Sequence, residues 1–248
     1  MVKTLIILRV HRRVNLLPRI RESLREALGV LPEAGLVLAP NNPTEEVLEA
    51  IQGMPAIAVV PTTTPVYDPT RVPVDGHGRI QSEIVEALER DFDWEWLVWH
   101  CDDWVLEPGG WEDMAEIMRS GVADVIAVDA LYFWDGLDGR LYNRRAYRTV
   151  DEIAFRWRRG LRWSALDVGF CPQDLQLEAR ARNRVVVMER RRLDYGFATE
   201  EERRRALRAR VRAGLVDDYI SPLLLEPDLV EYSSERKPVT ARLATHTG

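Results

Sequence analysis

Two adjacent carboxylates, Asp102 and Asp103, close an apolar run that starts at Trp94 and passes through Trp96, Leu97, Val98 and Trp99. A buried strand ending in acids delivers them to its C-terminal tip, and in an open α/β sheet ligands bind in the crevice beyond the carboxyl ends of the strands. Paired acids at such a tip suit a divalent cation, Mg2+ or Mn2+, held against a phosphate. Neighbouring side chains on a strand point to opposite faces, so both acids reach one ion only if the chain turns at the tip. A polar strand-end turn that holds no ion accounts for the same two residues. The chemistry to look for is metal-assisted and uses a nucleotide.

Three earlier β-rich runs also end in polar residues. Thr4 to Val10 carries Arg9 and leads to His11; Leu36 to Ala39 leads to Asn41 and Asn42; Ala56 to Val60 leads to Thr62, Thr63 and Thr64. Four such tips in register imply one crevice. The elements between them are helical. Leu16, Leu17, Ile20, Leu24, Ala27 and Leu28 fall at helical spacing over Val14 to Leu28, with Gly29 as a stop. Thr44 caps a helix through Ile51, with acids in its first turn. A loop over Pro65 to Gly78 and a helix from about Ile80 to Leu88 then lead into the acid-tipped strand. This order predicts an α/β fold, a mainly parallel sheet flanked by helices.

Past Pro108-Gly109-Gly110 the pattern predicts a helix over Trp111 to Arg119 and a strand over Asp124 to Tyr132. Trp134 to Phe170 is rich in aromatics, Arg and Gly with weak periodicity, and reads as substrate-binding loops. A helix over Leu175 to Ala181 and a strand over Val185 to Met188 follow. Thr199 to Glu202 is a capping box opening an Arg-rich helix to about Arg212. The tail from residue 215 is expected to wrap the surface, or to be disordered past Tyr232.

The bulk composition excludes several classes. The 248 residues carry a net charge of −6, which argues against a broad nucleic-acid grip. Lys3 and Lys237 are the only lysines, so Schiff-base chemistry or a phosphate-loop lysine has no suitable residue. Cys101 and Cys171 have no metal spacing and read as reduced thiols. No apolar run approaches the roughly 18 residues of a membrane span, and the N-terminal run is too short for a signal peptide, so a cytoplasmic protein is expected. A serine hydrolase is disfavoured by the absence of Gly-x-Ser-x-Gly.

With these residues placed, residues 4–212 resemble the GT-A fold nucleotide-sugar glycosyltransferases, most like the family 2 type. Gly76-His77-Gly78-Arg79 followed by a helix is similar to the family's Gly-x-x-Arg-Asn segment. Trp99-His100-Cys101-Asp102-Asp103-Trp104 stands where the family has Asp-x-Asp. Gln173-Asp174-Leu175-Gln176-Leu177-Glu178-Ala179-Arg180 is similar to Glu-Asp-x-x-Leu-x-x-Arg, and Leu193-Asp194-Tyr195-Gly196-Phe197 to an ending in which a His usually precedes Tyr-Gly. Departures are His100 and Cys101 in place of acids, Asn41-Asn42 in place of an acid-rich tip, Gln173 in place of Glu and Asp194 in place of the His.

The resemblance implies one domain over residues 1–214, with a nucleotide-sugar-binding half (1–106), an acceptor and catalytic half (107–214), and a C-terminal tail. It implies a nucleoside-diphosphate sugar donor contacted by Arg9, His11, Asn41, Asn42, Thr62, Arg79 and Asp102. A Mn2+ or Mg2+ ion would sit on Asp103, Asp102 and Asp194, and Asp174 would act as base with inversion at the anomeric carbon. Asp174 is as well suited to plain helix capping. Arginines of residues 140–148 or 156–162 would reach the diphosphate, and Trp134, Tyr142, Tyr147, Trp157 and Trp163 would stack on the acceptor, a saccharide, lipid, protein or nucleobase. Two other functions fit the residues: a nucleotidyltransferase, and a non-catalytic nucleotide or sugar binder on a degenerate transferase fold.

Overall fold

The computed structural model describes residues 3–64, 77–143, 150–164, 169–196, 198–204 and 229–232. The Arg-rich helix past residue 204, most of the tail, the loop up to residue 76 and Tyr147 lie outside them.

Strand β1 (Thr4–Val10) is buried along its whole length, as an apolar strand covered on both faces must be. It pairs in parallel with β2 (Ala34–Pro40) and with β4 (Trp96–Cys101), and β2 pairs in parallel with β3 (Ala56–Val59). The helices between them pack on both faces. α1 (Leu17–Val30), α2 (Glu45–Ile51) and, further on, α4 (Gly110–Ser120) press Leu17, Ile20, Val47, Trp111 and Met114 onto one face. α3 (His77–Leu88) and α5 (Gln173–Ala181) press Ile80, Ile84, Leu175 and Ala179 onto the other. Thr44 caps α2 as its sequence implies, its side chain accepting from the Val47 N–H. Gly29 does not stop α1: the buried stripe continues to Leu31, which is 4% exposed, and holds the helix through the glycine.

The sheet is mixed, which corrects the expectation of a mainly parallel one. Its strand order is β3-β2-β1-β4-β8-β6-β10-β5, with β9 also on β6. β6 (Val125–Tyr132), β9 (Val185–Val187) and β10 (Arg192–Asp194) are mutually parallel, but β8 (Val150–Arg156) runs antiparallel between β4 and β6. β5 (Trp104–Leu106) lies antiparallel to β10. A short two-stranded sheet joins β7 (Leu141–Asn143) to β11 (Leu229–Glu231). An antiparallel return needs no crossover helix, so part of the segment expected to be loop becomes a central strand.

That reversal relocates the arginines of residues 156–162, one of the two sets expected at the diphosphate; Arg144, Arg145 and Arg148 of the other set lie outside the described residues. Arg156 lies opposite Trp96, at the start of β4 and so at the end of the sheet away from Asp102. The arginines there are spent on acids: Arg156 on Glu95, Arg158 on Glu178, Arg159 on Asp93, and Arg162 on the buried Glu89. Trp163 and Trp157 pack together, with Trp163 edge-on to the fully buried Trp99 at 5.6 Å, and Trp134 is itself buried. Trp134 and Trp163 are core rather than an acceptor surface, and Trp157 is half-buried against Trp94 and Trp163.

Both cysteines are free thiols. His100 is a core imidazole, fully buried, stacked 3.8 Å from Trp104 and bonded through Nδ1 to the Cys101 carbonyl at 2.8 Å. Burial pushes its pKa down from 6.5 to about 3. Between those values the unfolded chain binds a proton at this ring and the folded chain does not, so His100 costs stability as pH falls through this range. Chemical denaturation from pH 6.5 to 3.5 should show a His100→Asn variant losing less stability than wild type, by up to about 1.4 kcal/mol per pH unit. Parallel pH dependences in the two proteins would contradict a buried neutral ring.

Candidate active site

The turn between β4 and β5 sends its two acids to different tasks. Asp102 Oδ2 accepts the backbone N–H groups of His11, Arg12 and Arg13 at 2.7, 2.9 and 3.0 Å. These three lead into a 3-10 turn, Val14–Leu16, whose opening donors have no carbonyl of their own to meet. Consecutive N–H groups form an anion-binding concavity, and a carboxylate from the neighbouring strand fills it. Asp102 is 6% exposed and fastens the tip of β4 to the loop after β1.

Asp103 faces the other way. Its carbonyl accepts the Tyr195 N–H at 2.7 Å, which aligns the turn with the end of β10. Its carboxylate, 30% exposed, pairs with Arg13 Nη1 at 2.8 Å. Arg13 also reaches Glu202 through Nε at 2.9 Å and the Gly196 carbonyl through Nη2 at 3.0 Å. Burial works against its charge, but Asp103 and Glu202 outweigh that and hold the guanidinium firmly protonated. Glu202 uses its other oxygen in the expected capping box, accepting from Thr199 N and Oγ1.

Asp194 is buried at the tip of β10. Oδ1 accepts the Gly196 N–H at 2.7 Å, and Oδ2 pairs with Arg192 Nη2 at 3.0 Å. Arg192 also pairs with Asp151 at 2.8 Å and lies over the Trp104 ring at 5.6 Å. Burial, and then the charge of Asp103, push the Asp194 carboxyl up. Gly196 keeps the two acids close: a Cβ there would stand 2.8 Å from Asp194 Oδ1, 3.5 Å from Asp103 Oδ2 and 3.6 Å from Arg13 Nη1.

The other sequence-derived residues divide into two groups. Arg9, 8% exposed, ends β1 opposite Cys101 and bonds His77 Nδ1 at 2.7 Å. Burial, then the Arg9 charge, lower the His77 pKa to about 3, so the ring is a neutral acceptor. Arg9 has no carboxylate partner among the described residues and keeps its positive charge at the head of the crevice. His11 exposes its side chain beside it. Asn41 and Thr62 are buried and spent on each other, Asn41 Nδ2 donating to Thr62 Oγ1 at 2.9 Å and to the Thr64 carbonyl at 3.0 Å. They tie the tips of β2 and β3, while Asn42 turns the chain at φ +46° and is exposed.

Arg79 and Asp174 are exposed in the first turns of α3 and α5 and make no hydrogen bond or ion pair to the acids. Topology still puts Asp174 at the ligand end. β9 starts beside Val125, the first residue of β6, so the helix before it runs down from the strand tips. Gln81 Nε2 in α3 donates to the Gly169 carbonyl just ahead of α5 at 3.2 Å, holding that helix start beside the start of α3. Arg13, Arg192, His77 and Glu202 belong to the site without having been singled out for it. The signal for Arg13 was its place, three residues past the first strand.

The donor set for a hard divalent ion is small. Among the described residues no three His, Cys, Asp or Glu side chains gather as a metal-binding group. Asp102 has an oxygen committed to the fold. Asp194 is buried with both oxygens engaged, by the Gly196 N–H and by Arg192, so Asp103, partly exposed and paired with Arg13, is the acid best placed to meet an ion. Mg2+ is commonly held by one or two carboxylates plus substrate phosphates, so Asp103 with a donor's diphosphate would meet the lower limit, and Asp194 would join by giving up Arg192.

No profile of a known protein family matches the chain, and no curated protein matches it by sequence. Solved structures do. The crystal structure of S. aureus TarS 1–349 in complex with UDP is 16% identical, with a TM-score of 0.50 over 92% of this chain and 67% of that one. The fold is that of TarS, a GT-A glycosyltransferase. TarS 1–349 in complex with UDP-GlcNAc is 15% identical over 90% of this chain and 71% of that one, at a TM-score of 0.49. Against the longer TarS structure the coverage is 92% of this chain but 40% of that chain, at a TM-score of 0.48. No helix among the described residues is long and apolar enough to cross a membrane.

If Asp102 is a fastener, Asp102→Ala leaves three N–H groups unpaired and removes charge-assisted hydrogen bonds. The expected loss is about 3 kcal/mol, read from the midpoint of chemical denaturation. A midpoint within error of wild type would show that water replaces the carboxylate without cost.

Proposed function

We propose that the chain transfers a sugar from a nucleoside-diphosphate sugar to an acceptor hydroxyl. The observation carrying this reading is the convergence of Asp103 and Asp194 at the tips of β4 and β10, in a sheet with the fold of a protein solved with UDP. Arg9 adds a buried positive charge at the tip of β1, suited to an anionic donor.

In this reading Asp103 would hold Mn2+ or Mg2+, with Asp194 joining it by giving up Arg192, and the ion would supply Lewis-acid stabilisation to the departing diphosphate. Asp102 takes no part in holding it. It fixes the β1 loop so that Asp103 faces the crevice. Asp174, exposed at the head of α5 with no partner among the described residues, is free to take the proton of the attacking hydroxyl. A base acting opposite the leaving group inverts the anomeric centre. The donor base, the sugar and the acceptor class (saccharide, lipid, protein or nucleobase) are what a screen must identify.

Thermal unfolding against UDP, GDP, dTDP, CMP and ADP, each with Mn2+ or EDTA, tests the donor half. One nucleotide should raise the midpoint only with metal, and Asp103→Asn should abolish that rise. No shift with any nucleotide would remove the donor site. Asp174→Asn should keep the shift yet lower kcat by roughly 10²- to 10⁴-fold. Unchanged turnover in that variant would exclude Asp174 as base. A nucleotide shift with no transfer to any acceptor would favour a binding protein.

A further inference from the structure

Among the described residues Arg13 is the one cation paired with Asp103, the acid that the ion would occupy, and its three contacts are unequal in kind. Nε and Nη2 grip Glu202 and the Gly196 carbonyl, on the helix that opens at residue 200 and the loop before it. Nη1 alone reaches Asp103. A guanidinium with planar, divergent donors can lose one contact by a small rotation and keep the others. The carboxylates it serves outnumber it: Asp103 and Glu202 share one guanidinium, so the trio is net negative and can accept a further cation.

We propose that Arg13 is a built-in placeholder cation. Its Nη1 neutralises Asp103 in the ligand-free protein and competes with the divalent ion for that carboxylate. This rests on the proposed metal role of Asp103 and Asp194. When the ion binds, Arg13 yields Asp103 and stays with Glu202 and Gly196. The competition keeps two close carboxylates compatible in the empty protein and makes the metal site weak until diphosphate oxygens complete it. It also couples occupancy to the helix start at Thr199–Glu202, because the same guanidinium joins the two. The arrangement explains why a buried-side arginine sits among acids instead of aiming at the anionic donor.

The test measures Mn2+ binding, by calorimetry and by the thermal midpoint, with no nucleotide and then with UDP. Arg13→Gln removes the competitor and should bind Mn2+ alone about tenfold more tightly than wild type, equivalent to about 1.4 kcal/mol. Arg13→Gln combined with Asp103→Asn should lose that gain. Glu202→Gln, which leaves Arg13 with Asp103 as its one anionic partner, should weaken Mn2+ binding. This second variant decides the matter if Arg13→Gln fails to fold. Equal Mn2+ affinity in wild type and both variants would overturn the placeholder role while leaving the metal site standing. No Mn2+ binding by any protein, even with UDP, would overturn the metal reading itself and this inference with it.

Discussion

The carboxylate of Asp102, held by three consecutive backbone N–H groups of the β1 loop, sets the geometry of the whole ligand end of the sheet. It fixes the loop after β1 against the tip of β4, and with it the position of Arg13. Both acids lie in the turn between β4 and β5, and with Asp102 spent on those N–H groups it is the partly exposed Asp103 that pairs with Arg13. The Tyr195 N–H on the Asp103 carbonyl then brings the end of β10 alongside, so that Asp194 and Gly196 complete the cluster.

Carboxylates outnumber guanidiniums at this site, each guanidinium serving two of them: Arg13 serves Asp103 and Glu202, Arg192 serves Asp194 and Asp151. Such sharing is tolerable because the groups are close and partly shielded from water, where ionic interactions are strong and an unpaired charge is costly. Arg9 stands apart from this arrangement. Its described partner is a neutral imidazole rather than a carboxylate.

Much of the first half was legible in the sequence because each element there is signalled locally. Apolar runs mark β1, β2 and β4, helical spacing marks α1 and α3, and Thr44 marks the start of α2. The strand tips did converge, as their polar ends implied. What failed was information that is not local. Strand direction cannot be read from Val150–Arg156, and the antiparallel course of β8 carried the following arginines and tryptophans to the far end or into the core. The roles of the tip residues depended on partners distant in sequence: Asp102 on a loop some ninety positions earlier, Asn41 on Thr62, Arg13 on Glu202. Side-chain type marked where the site lies, and tertiary pairing decided which of its residues remain free to act.

The central claim is that Asp102 and Asp103, adjacent in sequence, have separate tasks, one structural and one toward the ion. A crystal structure with Mn2+ and the nucleoside diphosphate that shifts the thermal midpoint, recorded at the manganese absorption edge, tests it most directly. The account predicts an anomalous peak within coordination distance of Asp103 and Asp194, with Asp102 still seated on the N–H groups of His11, Arg12 and Arg13. A peak coordinated by Asp102, with that seat vacated, would contradict it.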